Sequence, residues 1–107
     1  MSAATPPPPR AQAAACVAAV APSHNSGDYL LRCVRSLLAS TTPVASVCVV
    51  DSASTDDAVD RLLREATRPI DAIRLKRDKG ISYALNVGIC RSLQRKEITH
   101  LLLLEDD

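Results

Sequence analysis

The sequence predicts an α/β fold, a parallel sheet with crossover helices in the order β-α-β-α-β-α-β. Short apolar runs at 15–21, 45–51, 69–76 and 99–104 alternate with longer segments of helical period. Most of these runs are continuously apolar, as strands covered on both faces are. Alternation of this kind leads one strand to the next through a helix and builds a parallel sheet. A length of 107 residues leaves room for one domain.

Residues 1–13 are read as a disordered Ala/Pro-rich tail and 14–107 as the domain. "AQAAACVAAVA" has the outline of a thin signal-peptide core. Only Arg10 precedes it as a basic residue, and alanine is weakly apolar, so a first strand over "ACVAAVA" (15–21) is favoured. "DYLLRCVRSLLAS" (28–40) is a helix with Leu30, Leu31, Val34, Leu37 and Leu38 on one face and Arg32 and Arg35 on the other. Ser26 or Asp28 is its expected cap. "ASVCVVD" (45–51) is a β-branched second strand.

"STDDAVDRLLREA" (54–66) is the second helix, with Ser54 or Thr55 as N-cap and acids in its first turn. Its inner stripe is Ala58, Val59, Leu62, Leu63 and Ala66, and Asp57–Arg61 and Asp60–Arg64 are i,i+4 pairs on the wet face. "PIDAIRLK" (69–76) is a shorter strand. "GISYALNVGICRSL" (80–93) is a helix with Ile81, Ala84, Leu85, Gly88 and Ile89 facing in. Gly88 costs helix propensity, so it marks a close helix–sheet contact. Asn86, beside that stripe, is read as structural. "THLLLL" (99–104) reads as a fully buried last strand. The whole is Rossmann-like.

Composition narrows the function. With no Phe, no Trp and two Tyr, the core is built from Ala, Val, Leu and Ile. A net charge of +1, from 13 basic and 12 acidic residues, gives no general attraction to nucleic acid or anionic lipid. No stretch approaches ~18 strongly apolar residues, so no transmembrane segment is predicted. Cys16, Cys33, Cys48 and Cys90 form no C-x-x-C pair and have no histidine at metal-ligand spacing. They read as buried, reduced, small hydrophobes.

In open parallel sheets, ligands bind outside the carboxyl ends of the strands. The first strand delivers Ser23, His24 and Asn25 there. The second delivers Asp51, Ser52 and Ser54, the third Arg77, Asp78, Lys79 and Gly80, and the fourth Glu105, Asp106 and Asp107. Three adjacent carboxylates repel one another unless a cation compensates, and Mg²⁺ or Mn²⁺ takes such oxygen ligands. An isolated "EDD" is more often a solvated turn; after "LLLL" in this topology it reads as a site. Asp51 can accept from a ribose hydroxyl or a base N–H, or it can cap the next helix. Lys79 is either a diphosphate contact, with Gly80 allowing close approach, or a surface lysine. His24 is a base or phosphate contact, or a turn histidine.

Four stretches, taken together, resemble glycosyltransferase family 2. "VAPSHNSGDYLLRCVRSLL", "VCVVDSASTDD", "RDKGISYALNVGI" and "HLLLLEDD" occur in the order of the family's motifs and cover about residues 15 to 107. The resemblance implies the nucleotide-sugar-binding half of a GT-A fold. It implies that Asp51 contacts the nucleoside, that Ser23, His24 and Asn25 flank base and ribose with Ser54 nearby, and that Lys79 and Gly80 lie near the diphosphate. Glu105 and Asp107 would be the outer acids of the metal motif, with Asp106 nearer the ribose. The implied cofactor is Mn²⁺ or Mg²⁺, and the implied donor a UDP- or dTDP-linked sugar. The acceptor, a glycan or a lipid, is not specified.

The sequence departs from the family pattern at His24, where an aromatic is usual, and at Ser52, Asp57, Asp78–Lys79 and Glu105. It also lacks the acceptor-binding half with its catalytic base. The expectation is therefore a donor half, cytoplasmic or peripheral to a membrane, without activity by itself. The competing expectation is a non-catalytic nucleotide-binding or receiver-like regulatory module, with Asp51 as the phosphoacceptor.

Overall fold

The computed structural model describes residues 15–41 and 43–105. The tail expected over 1–13 lies outside them. Seven elements follow in order: β1 (Val17–Ser23), α1 (Asp28–Ala39), β2 (Ser46–Ser52), α2 (Ala58–Glu65), β3 (Asp71–Leu75), α3 (Ile81–Ser92) and β4 (His100–Leu103). The strands form one sheet, all parallel, in the order β3-β2-β1-β4. This is the predicted α/β architecture, a partial Rossmann-like GT-A arrangement.

The order follows from chain handedness. The chain steps outward from β1 to β2 to β3, then returns past β1 to lay down β4 on the other side. Right-handed crossovers in opposite directions put their helices on opposite faces. Accordingly Ala19, Ala21, Val47 and Val49 pack with α1 and α2 through Leu30, Leu31, Val34, Ala58, Val59 and Leu62. The intervening strand residues Cys48 and Val50 meet α3 at Ala84. Burial on both faces explains why β1 and β2 read as continuous apolar runs.

Gly88 shows how close α3 lies. A Cβ there would sit 2.4 Å from Val20 Cγ1 and 3.0 Å from Val50 Cγ2. The glycine is thus a contact point between helix and sheet, as its place in a helical pattern suggested.

Several local expectations are corrected. α1 starts from Gly27 at φ 57°, so the N-cap position falls on a glycine and not on Ser26 or Asp28. α2 starts at Ala58 rather than 54, because Ser54 and Thr55 belong to a loop bonded to the β1 exit. The short α2 buries a narrow stripe and leaves Leu63 exposed. Asp60 pairs with Arg74 of β3 at 2.5 Å instead of with Arg64. Ile81 is exposed on the first turn of α3.

β4 is not fully buried. It lies at the sheet edge with β1 as its neighbour, and Leu102 and Leu103 are 39% and 45% exposed. The four cysteines are free, but only Cys48 is buried; Cys90 is exposed. Burial, and secondarily the charge of Asp71, pushes the Cys48 thiol up to about 11. It remains a protonated, inert core group.

Candidate functional site at the carboxyl edge of the sheet

The register brings the strand exits level. Ser23 pairs with Asp51, Asp51 with Arg74, and Ser52 with Leu75. On the other side, the Leu104 N–H reaches the Val20 carbonyl at 2.9 Å, so Glu105 leaves β4 on the same edge. The order reverses between β1 and β4, which makes this edge the topological switch point.

The β1 and β2 exits are laced together by their own polar groups. Asn25 Oδ1 accepts from Thr55 N at 2.7 Å and from Thr55 Oγ1 at 3.2 Å. The Asn25 N–H donates to Ser54 Oγ at 2.8 Å, and the Gly27 N–H to Asp56 Oδ2 at 3.0 Å. Ser54 in turn holds Asp51: its N–H and its hydroxyl both donate to the carboxylate. Asn25 and Ala53 sit at φ 50° and 55°, unusual for residues with a Cβ. Two such residues in facing loops mark a place where tertiary contacts outweigh local preference.

This lacing changes what each predicted residue can do. Ser23 is 1% exposed, and its hydroxyl meets Ser26 Oγ at 3.4 Å. Asp51 is 7% exposed, with Ser54 already on its carboxylate. Asn25 and Ser54 spend their side chains on the lacing, so they shape the rim before they touch anything else. His24 is exposed, with Nδ1 2.6 Å from the Ser52 carbonyl and Nε2 3.6 Å from Asp78 Oδ2.

The third exit is basic. Lys79 Nζ lies 4.9 Å from the centre of the Tyr83 ring, a cation–π contact. A cleft of about 230 Å³ opens between Leu75, Lys76, Arg77, Lys79 and Tyr83. Its three cations can receive an anion. Lys76 and Tyr83 were not among the predicted site residues; a second basic residue at the end of the strand was the available signal. Gly80 is at φ 92° with open space around its absent Cβ, so its conformation, not crowding, requires glycine. Asp78 Oδ1 accepts from the Gly80 N–H at 2.9 Å and shapes that turn.

Of the acidic terminus, Glu105 is described and exposed; Asp106 and Asp107 lie outside the described residues. Among the described residues no group of three or more His, Cys, Asp or Glu side chains is placed to hold a metal. The carboxylate oxygen of Glu105 is of the hard type that Mg²⁺ and Mn²⁺ prefer.

An open parallel sheet with a polar, laced switch-point rim defines a class: α/β proteins that take their ligand across the strand ends. Sequence comparison supplies the family. The description "Glycosyl transferase family 2" matches residues 18–107, and the chain belongs to that family. Chondroitin synthase of Escherichia coli is 36% identical over 90 residues, which is 80% of this chain and 13% of that protein. The chain therefore spans a small part of the length of this relative. Among the described residues, no helix is long and apolar enough to cross a membrane.

Proposed function

We propose that this rim binds the nucleoside diphosphate of a UDP- or dTDP-linked sugar together with Mn²⁺ or Mg²⁺, and that residues 14–107 are the donor half of a glycosyl transfer to an acceptor hydroxyl. The observation that carries the reading is the fixed Asp51 carboxylate at the β2 exit, on the switch-point edge, held by Ser54 beside a rim that includes His24 and the basic Lys76–Lys79 turn. Membership of the family supports it independently.

In this reading Asp51 accepts from the nucleoside. Asn25 and Ser54 keep its loop in place, and Ser23 supports the turn from below. Lys79, at the mouth of the basic cleft and preceding Gly80, takes the diphosphate. Glu105 and Asp107 would hold the cation, with Asp106 toward the ribose. A bound divalent cation would neutralise the charge on the departing nucleoside diphosphate. The carboxylates of the rim are thereby assigned to donor and metal or, as Asp56 and Asp78, to the backbone N–H groups that shape its loops, so none is placed to take the acceptor's proton. Residues 1–107 by themselves are thus expected to bind donor without transferring sugar. The free cysteines fit a reducing compartment such as the cytoplasm.

Calorimetric titration of UDP and of dTDP, each with Mn²⁺, tests this. The expected outcome is saturable heat that weakens at least tenfold in Asp51→Asn and on chelation of the metal. A folded protein that yields no heat with either nucleotide sinks the proposal. Phosphorylation of Asp51 by a small phosphodonor would favour the receiver-like alternative instead.

A further inference from the structure

His24 joins three strand exits. Its Nδ1 lies 2.6 Å from the Ser52 carbonyl oxygen at the end of β2, and its Nε2 lies 3.6 Å from Asp78 Oδ2 in the loop between β3 and α3. A carbonyl oxygen only accepts, so Nδ1 carries the hydrogen. In the neutral ring Nε2 is then a bare acceptor, and it faces a carboxylate that also only accepts. Two lone-pair-bearing atoms oppose each other across that gap. A proton on Nε2 turns the same contact into a charge-assisted attraction. Only the imidazolium satisfies both neighbours of the ring at once.

Asp78 is built into its loop, with Oδ1 on the Gly80 N–H that precedes α3. Lys79 lies between them. Whatever fixes Asp78 therefore fixes the backbone that carries the Lys79 ammonium. Lys76, Arg77 and Glu105 also stand at this rim, and Asp56 accepts from the Gly27 N–H. Asp51 is held by Ser54, and Lys79 lies over Tyr83.

We propose that His24 is a positioning residue: when protonated it clasps Asp78, draws the β3–α3 loop against the β2 exit, and so presents Lys79 to a diphosphate. This regulation rests on the donor-site reading above. Histidines ordinarily change charge between about pH 5 and 8. A proton on Nε2 closes the clasp, and donor binding tightens with it. The His24 and Asp78 side chains are 40% and 46% exposed, so water screens the pair. The expected gain in affinity is roughly two- to fivefold.

Nuclear magnetic resonance on the ligand-free protein tests the clasp itself. At pH 8 the His24 ring is expected in its Nδ1–H form, and the Gly80 amide should shift along the His24 titration curve. In His24→Asn, which keeps an N–H for the Ser52 carbonyl but lacks Nε2, the Gly80 amide should no longer follow. UDP affinity should rise two- to fivefold from pH 8 to pH 6 relative to Asp78→Asn, a comparison that cancels the ionisation of UDP. An Nε2–H ring at high pH, a Gly80 amide blind to His24, or equal pH slopes in the two proteins would each overturn the proposal. Should UDP not bind at all, the donor-site reading falls, while the clasp is judged on the ring tautomer and the Gly80 amide.

Discussion

Gly88 carries more of the packing than its size suggests. α3 rests on the sheet at Val20 and Val50, and a methyl group there would overlap Val20 Cγ1. In an exposed helix, alanine would stabilise relative to glycine by about 1 kcal/mol. Here overpacking opposes that gain, and Val20 is fully buried with no room to retreat. Gly88→Ala is therefore expected to destabilise by about 1–3 kcal/mol in urea titration. Adding Val20→Ala should recover part of the loss, because the two side chains compete for one space. A Gly88→Ala protein as stable as the parent would mean that α3 sits farther from the sheet. The sequence shows that glycine misfits a helix there, but not which side chains it must admit. In the same way it marks Asn25, Asp51 and Ser54 as polar residues at strand ends. That they bond to one another across the β1 and β2 exits depends on pairing two segments about 30 residues apart, which no local pattern encodes.

Between elements, exposed ion pairs tie the helices together and to the sheet. Arg35 of α1 holds Glu65 of α2 through two bonds of 2.7 Å, and Arg74 of β3 holds Asp60 of α2. These guanidinium hydrogen bonds hold both carboxyls below their usual range. A carboxyl lowered in the folded state contributes stability above its unfolded value and loses it as pH falls through its folded one. The contribution should therefore disappear on acidification below about pH 4.5. Glu65→Gln is expected to flatten that acid limb slightly and to leave neutral stability nearly unchanged, as screening requires. An acid limb identical to the parent's in a thermal series from pH 6 to pH 2.5 would remove Glu65 from the account. β4 raises a separate question. An apolar run announces a strand but not its place in the sheet, so Leu102 and Leu103 read as core and stand at an exposed edge. An apolar edge strand pairs readily with other chains. Residues 1–107 should accordingly self-associate with rising concentration. Leu103→Lys should reduce this in sedimentation velocity while leaving the circular dichroism unchanged.

For the molecule as a whole, the topology decides where chemistry can collect. Period and composition were enough to give the order of elements and the parallel sheet, and the switch-point rule then assigns the ligand to one edge. The sequence could not give the division of labour on that edge, where some polar groups hold others in place. This division makes a global prediction. A nucleotide bound across the rim would touch segments from several strand exits, which are joined through Asn25–Thr55, Asn25–Ser54 and His24–Ser52. Binding should then be felt by the whole fold. With Mn²⁺ and UDP at about 100 times the dissociation constant, stabilisation should reach about 2.7 kcal/mol. For a domain of this size that corresponds to a rise in melting temperature of roughly 10–20 °C. Hydrogen exchange should slow together at 23–27, 51–57 and 77–80. Protection limited to 77–80, reproduced by inorganic phosphate, would assign the ligand to the basic cleft alone. The shared rim would then be a structural seam rather than a donor site.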